Sequence, residues 1–162
     1  MWNLHQSQTP VNPAPRAFVN TDPSAMNTTA AQSFSQKACL LLVEDNPTNQ
    51  AIAQAFLRRL GFSADAAFNG IEALQKLTEA PVDCPYTLVL MDCQMPKMDG
   101  YEATRKIRAG RAGKRNQTIP IIAITANAMP SNRQQCLEAG MNDFFSKPIR
   151  KAMLTKILEK WG

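Results

Sequence analysis

The sequence predicts an α/β fold in which helices cover both faces of a parallel sheet. Short apolar runs alternate with segments of helical periodicity, and several of the runs end in an acidic or polar residue beside a turn signal. Continuous apolar runs are typical of strands buried on both faces, and parallel strands need crossover helices between them. With 162 residues, 44% of them hydrophobic, the chain is long enough for one domain with a sizeable core.

Residues 1–37 differ in composition from the rest of the chain. They contain four prolines and many Asn, Gln, Ser and Thr residues, and their few large apolar residues follow no helical or strand period. Such a segment buries too little apolar surface to offset the entropy of ordering its backbone. We expect a flexible tail or linker over 1–37, in which Trp2 and Phe18 are candidates for docking, and a folded domain over 38–162.

The first half of the domain contains three predicted strands. Residues 38–43 form an apolar run that ends in an acidic turn, and Asn46 followed by Pro47 is typical of a helix start. In that helix Ile52, Phe56 and Leu60 recur at helical spacing and are flanked by Ala53 and Leu57, which predicts an apolar face toward the core. The next predicted elements are a strand over 62–67, a short helix marked by Ile71, Leu74 and Leu77, and a strand over 86–91.

The second half continues the same alternation of strands and helices. The predicted elements are a helix over 101–109, a strand over 119–124 that ends at Thr125, a helix over 130–139, a strand over 142–146, and a helix with Leu154, Ile157, Leu158 and Trp161 on its core face. Five strands alternating with five helices predict a parallel sheet joined by right-handed crossovers.

Chemically reactive side chains follow four of the five predicted strands. Glu44 and Asp45 follow the first, Asp92 the third, Thr125 the fourth and Lys147 the fifth. In the strand order 2-1-3-4-5 of flavodoxin-like doubly wound sheets, the first and third strands are neighbours at the switch point where ligands bind. We therefore expect the three carboxylates to converge on one crevice.

The predicted crevice has the chemistry of a phosphoryl site. Three close carboxylates repel one another, which favours a divalent cation between them, and hard oxygen ligands favour Mg²⁺. The hydroxyl of Thr125 and the ammonium of Lys147 would suit a phosphoryl group on Asp92, because a carboxylate is a competent nucleophile for phosphoryl transfer. An isolated Asp at a strand end is more often a turn residue, so the prediction depends on the whole set.

Four segments carry a family pattern: residues 41–46 (LLVEDN), 91–100 (MDCQMPKMDG), 124–129 (ITANAM) and 144–148 (FFSKP). Together they make residues 39–161 resemble a response-regulator receiver domain of two-component phosphorelays. The forms of the second and third segments are most similar to those of receivers fused to hybrid sensor histidine kinases. The resemblance implies the flavodoxin-like (βα)5 fold and a phosphoacceptor function.

The resemblance also implies the roles of the acidic residues. Asp92 would accept a phosphoryl group from a phosphohistidine on a histidine kinase or a histidine phosphotransfer protein. Asp45 and Asp92 would bind Mg²⁺, with Glu44 acting directly or through water and the backbone carbonyl of Gln94 as a further ligand. The domain would assist its own phosphorylation and dephosphorylation without being an enzyme in the usual sense.

The remaining family positions concern the conformational response. Thr125 would hydrogen-bond a phosphoryl oxygen, Lys147 would pair with the phosphoryl group or with Asp92, and the peptide bond between Lys147 and Pro148 would be cis. Phe144 occupies the position of a switch aromatic that is often Tyr. The alternative is that Phe144 is an ordinary core or surface aromatic without a switch role. The response would alter the surface of the fourth helix, fifth strand and fifth helix, which could also support weak self-association.

Composition constrains the location and the partners of the chain. No apolar run approaches the roughly 20 residues of a membrane helix, and no signal-peptide pattern is visible. Four cysteines without C-x-x-C spacing indicate neither a zinc site nor a disulfide framework. We expect a cytoplasmic protein or the cytoplasmic part of a membrane-bound hybrid kinase.

A basic cluster is interpreted as a solvated face because it lacks aromatic residues for base stacking. It comprises Arg105, Lys106, Arg108, Arg111, Lys114 and Arg115.

Two other protein classes share parts of the pattern. A Mg²⁺-dependent phosphohydrolase of the haloacid dehalogenase type also uses an Asp nucleophile, but it places Asp-x-Asp after its first core strand, whereas Asp92 follows the third. A flavodoxin-like FMN binder would need a phosphate loop after the first strand, where Glu44 and Asp45 would repel phosphate. Neither class matches the sequence as well as a receiver does.

The larger context of the receiver is left open by the motifs. The sequence continues for one helix after the fifth strand, so we expect no DNA-binding output domain in this chain. The hybrid-type motifs and the linker-like composition of residues 1–37 favour a receiver from a hybrid sensor histidine kinase. A free-standing single-domain response regulator is the alternative.

Overall fold

A single parallel sheet organises the part of the chain that the computed structural model describes, residues 38–127 and 129–162. Within these ranges five strands pair in the order β2-β1-β3-β4-β5. The strands are β1 (Cys39–Val43), β2 (Ser63–Ala67), β3 (Tyr86–Asp92), β4 (Ile121–Thr125) and β5 (Asp143–Ser146). Every pairing is parallel, which confirms the predicted doubly wound order. The expectations for residues 1–37 lie outside the described residues.

Helices cover both faces of the sheet. They are α1 (Pro47–Arg59), α2 (Gly70–Glu79), α3 (Gly100–Arg108), α4 (Pro130–Ala139) and α5 (Lys151–Trp161), with a short 3-10 turn over Lys114–Asn116. Helices α1 and α5 share one core layer, and α2, α3 and α4 share the other. In the described residues no helix combines the length and the apolar character that crossing a membrane requires.

Alternate residues of each central strand enter opposite core layers. Leu40 and Leu42 of β1 pack with α1 and α5, whereas Leu41 and Val43 pack with the helices of the other face. All four side chains are fully buried. A strand buried on both faces has a continuous apolar sequence. The apolar runs therefore predict β1, β3 and β4.

Helix α1 buries only part of the apolar face that the sequence predicts. The prediction that Ile52 faces the core is wrong, because its side chain is 45% exposed. Phe56 and Leu60 pack only at the margin of the core, and the fully buried residues are Ala53 and Leu57. The buried stripe is therefore displaced by one residue around the helix.

Gln50 explains the rotation of α1. Its buried side-chain amide donates hydrogen bonds to the backbone carbonyls of Glu44, at 2.7 Å, and of Ala67, at 3.0 Å. Those carbonyls lie at the ends of β1 and β2, where a buried carbonyl without a partner would cost about 1–3 kcal/mol. Because Gln50 must face the sheet, Ala53 and Leu57 follow it on the same side of the helix.

The prediction for the first turn of α2 is also wrong at Ile71, which is 50% exposed. The neighbouring residue, Gly70, turns inward instead. Its N–H donates to the carbonyl of Met98 at 3.0 Å, and it approaches the side chains of Met98 and Ala103 closely. Successive helical residues point about 100° apart, so an inward Gly70 directs Ile71 toward solvent.

Arg108 departs from the expected solvated basic face. Its guanidinium donates to the carbonyls of Gly140, Gln117 and Ile119 and to Oδ1 of Asn142, at 2.8 to 2.9 Å. Burial lowers the pKa of this group below its usual value. The side chain thus joins the end of α3 to the segments that precede β4 and β5.

Gly100 places the start of α3 against the end of β3. Its N–H donates to the carbonyl of Cys93 at 3.1 Å. A Cβ atom at this position would collide with the backbone carbonyl oxygen of Asp92 and would lie 2.9 Å from Cγ of Met91. The helix can approach the strand this closely only without a side chain.

We expect Gly100→Ala to lower the free energy of unfolding by roughly 3 kcal/mol, because the backbone must shift to admit the methyl group. Urea denaturation followed by circular dichroism measures the change. Gly61→Ala is the matched control: Gly61 has a φ of +88° and no heavy atom within 4 Å of an added Cβ, so only a conformational cost of about 1 kcal/mol applies. Equal losses in the two variants would contradict the steric argument.

Candidate functional site

The ends of β1 and β3 bring three carboxylates together. Glu44 and Asp45 follow β1 directly, and Asp92 is the last residue of β3, which pairs with β1. One oxygen from each of the three side chains lies within 4.8 Å of the others. The side chains of Glu44 and Asp92 are 0% and 3% exposed, whereas Asp45 is exposed. The cluster is therefore open to solvent on the side of Asp45.

Lys147 bridges the two buried carboxylates. Its Nζ lies 2.6 Å from Oδ2 of Asp92 and 2.9 Å from Oε2 of Glu44. The backbone N–H of Lys147 donates to the carbonyl of Thr125 at 2.7 Å, and the peptide bond between Lys147 and Pro148 is cis. The side chain thus reaches from the end of β5, past the end of β4, to β3 and β1.

The two partners of this ion pair are perturbed by burial and by each other. Burial raises the pKa of the Asp92 carboxyl, and hydrogen bonds from Lys147 and from the backbone N–H of Gln94, which lies 3.0 Å from Oδ1, oppose that rise. Burial by itself would lower the pKa of Lys147, but hydrogen bonds to Asp92 and Glu44 raise it overall. Lys147 is therefore held in its charged form.

Two amide residues of α1 that sequence analysis missed hold Glu44 in place. Asn49 donates from Nδ2 to Oε1 of Glu44 at 3.0 Å, and Gln50 binds the backbone carbonyl of the same residue. The backbone N–H of Asn46, the N-cap of α1, also lies 3.3 Å from Oε1. The signal in the sequence is the polar pair Asn49-Gln50 in the first turn of a helix that directly follows an acidic turn.

The donor set suits a hard divalent cation. All side-chain donors are carboxylate oxygens, which Mg²⁺ and Ca²⁺ prefer. Buried Oε2 of Glu44 is close to Lys147 but lacks a well-oriented hydrogen bond, so it retains the capacity to bind a cation. When ionised, three carboxylates and one ammonium leave two negative charges without compensation. The carbonyl of Gln94 stays a predicted further ligand.

The predicted switch residues lie beside the site without joining the acidic cluster. Thr125 is buried at the end of β4, where its hydroxyl donates to the carbonyl of Asn127 at 2.9 Å. Phe144 in β5 is half-buried against the core, and the guanidinium carbon of Arg133 in α4 lies 5.6 Å from its ring centroid. The roles of Thr125 and Phe144 stay predictions.

A cavity of about 460 Å³ adjoins the buried carboxylate of Glu44. Its lining combines Glu44 and Lys147 with the exposed side chain of Ile52 and with Ile149. Apolar groups from α1 and from the segment after β5 thus lie beside one side of the site. The rotation of α1 imposed by Gln50 is what brings Ile52 to this cavity.

Known proteins of similar sequence contain the same domain. The model of the response regulator receiver domain matches residues 40–159. Histidine kinase 1 of Arabidopsis thaliana is 39% identical over 149 residues, a match that covers 74% of this chain but 12% of the plant protein. The two-component response regulator ORR41 of Oryza sativa subsp. japonica is 43% identical, over 75% of this chain and 92% of that protein. The chain thus spans about an eighth of the kinase but nearly all of the regulator.

Among solved structures of similar fold, one receiver contains a magnesium ion and another was crystallised with a histidine phosphotransfer protein. The receiver domain of sensor histidine kinase PA1611 from Pseudomonas aeruginosa PAO1, with a magnesium ion coordinated in its active site cleft, has a TM-score of 0.67 and 44% identity over 76% of this chain and 96% of that chain. The co-crystal structure of the Saccharomyces cerevisiae histidine phosphotransfer protein Ypd1 with the receiver domain of Ssk1 gives a TM-score of 0.70 and 34% identity, over 78% and 89%.

The strand order, the positions of the acidic residues and the family matches indicate the same class of domain. The strand order is that predicted from the alternation of elements, and the acidic residues occupy neighbouring strand ends. The receiver model covers well over half of the chain, and a relative of receiver length is 43% identical. The chain belongs to the response regulator receiver domain family.

Proposed function

We propose that Asp92 is the residue that accepts a phosphoryl group from a partner phosphohistidine. The observation that carries the proposal is the position of its carboxylate, buried at the end of a central strand between an ammonium and an acidic pair. In the transfer, a carboxylate oxygen of Asp92 attacks phosphorus and forms an O–P bond. The P–N bond breaks at the same time, and the electron pair leaves with the imidazole of the donor.

Lys147 is suited to both states of the site. Before transfer it pairs with Asp92 and Glu44. Phosphorylation replaces the charge of the Asp92 carboxylate with the larger negative charge of a phosphoryl group, which the flexible ammonium can follow. Because Glu44 remains as a second partner, Lys147 stays in the site throughout. We propose that the hydroxyl of Thr125 donates a hydrogen bond to a phosphoryl oxygen. To do so it must give up its present hydrogen bond to the carbonyl of Asn127.

We also propose that the acidic cluster holds Mg²⁺, with Glu44, Asp45, Asp92 and the backbone carbonyl of Gln94 as the binding groups. The support is the all-oxygen donor set, the uncompensated charge and the magnesium ion found in the PA1611 receiver. Bound Mg²⁺ would neutralise charge on the transferring phosphoryl group.

The proposed phosphodonor is a histidine kinase or a histidine phosphotransfer protein. The Ssk1 receiver, which resembles this chain, was solved with a histidine phosphotransfer protein. A donor protein that docks beside Asp92 would meet the apolar side chains of Ile52 and Ile149, which line the cavity next to Lys147. Its imidazole would approach across apolar groups, which favours a protein partner over free solute because apolar contacts can fix its orientation.

The proposed response to phosphorylation runs through Thr125 and Phe144 to α4, β5 and α5. Two contacts support this route: the Lys147 N–H bonds the Thr125 carbonyl, and Arg133 of α4 lies over the ring of Phe144. A shift of Thr125 toward the phosphoryl group would alter the space beside Phe144 and bias a pre-existing equilibrium. Weak self-association through the same surface is part of the proposal.

We propose that this receiver is part of a hybrid sensor histidine kinase. It would lie in the cytoplasm, or in the cytoplasmic part of a membrane-bound kinase. The chain matches several hybrid kinases of which it covers 7% to 13%. We expect the native transcript to encode a kinase core in the same reading frame, and sequencing of that transcript checks this. Stop codons directly on both sides of the receiver would instead support a free-standing regulator such as ORR41, which the chain covers almost entirely.

We expect the protein to gain one phosphoryl group from acetyl phosphate and Mg²⁺, and Asp92→Asn to gain none, because an amide is a poor nucleophile. Intact mass spectrometry, with and without a base treatment that hydrolyses acyl phosphates, measures the gain. Asp99→Asn is the matched control, since Asn can also cap α3 in place of Asp99, and it should be phosphorylated like the original protein. Labelling of Asp92→Asn would refute the assignment.

We expect Asp45→Asn to weaken Mg²⁺ binding by about tenfold or more, at least the loss seen when outer partners of metal ligands are removed. Isothermal titration calorimetry measures the affinity. Asp45 is exposed, so its replacement should leave the domain folded. Glu159→Gln, which removes an exposed carboxylate on α5, should bind as the original protein does. An unchanged affinity of Asp45→Asn would exclude Asp45 as a ligand.

A further inference from the structure

A pair of cysteines lies at the amino ends of β1 and β3, whereas the acidic cluster lies at the carboxyl ends of the same strands. Cys39 is the first residue of β1, and Cys84 lies in the loop that precedes β3. Their Sγ atoms are 2.6 Å apart, although 45 positions separate them in the sequence. No C-x-x-C spacing reveals this pair, because parallel pairing of β1 with β3 creates it.

The backbone around the pair fixes the approach of the two thiols. Cys39 pairs in register with Tyr86, two residues beyond Cys84. Pro81 and Pro85 flank the exposed loop that carries Cys84, and fixed φ angles at both positions restrict the conformations of that loop. Formation of a disulfide, with S–S near 2.05 Å, would require only a small movement of the two sulfur atoms.

The pair is also accessible to small reagents. Cys84 is exposed and Cys39 is half-buried, so a dissolved oxidant can reach at least one sulfur. Reactive cysteines are exposed or partly exposed, whereas buried structural cysteines are inert. The position of Cys84 on an exposed loop makes it the sulfur that meets the reagent first.

The same chain contains a second cysteine pair with the opposite properties. Cys93 and Cys136 have Sγ atoms 3.8 Å apart, and each residue is 1% exposed. Because both residues are buried, a dissolved oxidant cannot reach either sulfur. This pair is an internal control, because its sulfur atoms are close together but inaccessible to dissolved reagents.

We propose that Cys39 and Cys84 form a reversible disulfide by exchange with a low-molecular-weight disulfide such as oxidised glutathione. This modification site is separate from the proposed phosphorylation of Asp92. The Cys84 thiolate attacks one sulfur of the reagent, forms a mixed disulfide and releases one reduced thiol. The Cys39 thiolate then attacks the Cys84 sulfur and releases the second reduced thiol. The protein loses two protons and two electrons, and the reagent accepts both pairs.

The cross-link joins the amino ends of the two strands that carry the acidic cluster at their other ends. It closes a long loop, and a disulfide of this kind mainly restricts the unfolded chain. Oxidation is therefore expected to raise the thermal midpoint by roughly 5–15 °C. In a reducing compartment such a disulfide is transient, so the fold would be stabilised during oxidative conditions and relax afterwards.

Incubation of the full chain with excess oxidised glutathione, followed by alkylation with N-ethylmaleimide and peptide mapping, tests the proposal. We expect a cross-link between Cys39 and Cys84, the loss of two hydrogen atoms from the intact mass, and complete alkylation of Cys93 and Cys136 after denaturation. Addition of excess reduced glutathione should restore four alkylatable thiols. Differential scanning fluorimetry of the two forms measures the shift in midpoint.

Two variants complete the test. Cys136→Ser should keep the cross-link and the rise in midpoint. Cys84→Ser, a change at an exposed position, should form no intramolecular cross-link and show no rise under the same oxidant. Absence of the 39–84 cross-link in the original protein would overturn the proposal, and so would oxidation of Cys93 and Cys136 to the same extent, since proximity alone would then explain the chemistry.

Discussion

The architecture of this domain depends on one ammonium group, that of Lys147, held between two buried carboxylates. Glu44 and Asp92 lose nearly all contact with water, and desolvation of a charged group costs several kcal/mol. In the observed strand order β4 separates β5 from β3, so the lysine spans two strand spacings, roughly 10 Å, to reach Asp92. A long cationic side chain at the end of β5 meets this requirement. Strand order, strand ends and side-chain length are therefore constrained together.

The same constraint explains why Ile52 lies outside the buried face of α1. A buried Glu44 needs hydrogen-bond donors, and the first turn of α1 provides Asn49 and Gln50. Their inward position rotates the helix and leaves Ile52 at the surface beside the site. Local sequence preference and tertiary structure disagree here because the site requires it, and such disagreements are expected at functional sites.

The parts of the fold that could be predicted are those governed by local pattern and by general rules of topology. Apolar runs located β1, β3 and β4, and the alternation of elements implied a parallel sheet with the reactive residues at one edge. The four carbonyl and amide contacts of Arg108 and the meeting of Cys39 with Cys84 depend on register between distant segments. No periodicity encodes such contacts. The predicted roles of Gln94 and Phe144 rest on family resemblance, whereas the acidic cluster, Thr125 and Lys147 are predicted from their positions at strand ends.

Strands β1 and β3 connect the two chemically distinct edges of the sheet. Five residues of β1 separate the cysteine edge from the acidic edge, a distance of roughly 16 Å at the rise of a strand. Exposed charges that far apart are largely screened at physiological ionic strength, where the Debye length is about 8 Å. The interior of both strands is fully buried and paired, and close-packed interiors do not deform continuously. A cross-link at the cysteine edge therefore acts on the stability of the whole domain, and the positions of Glu44 and Asp92 remain set by Lys147.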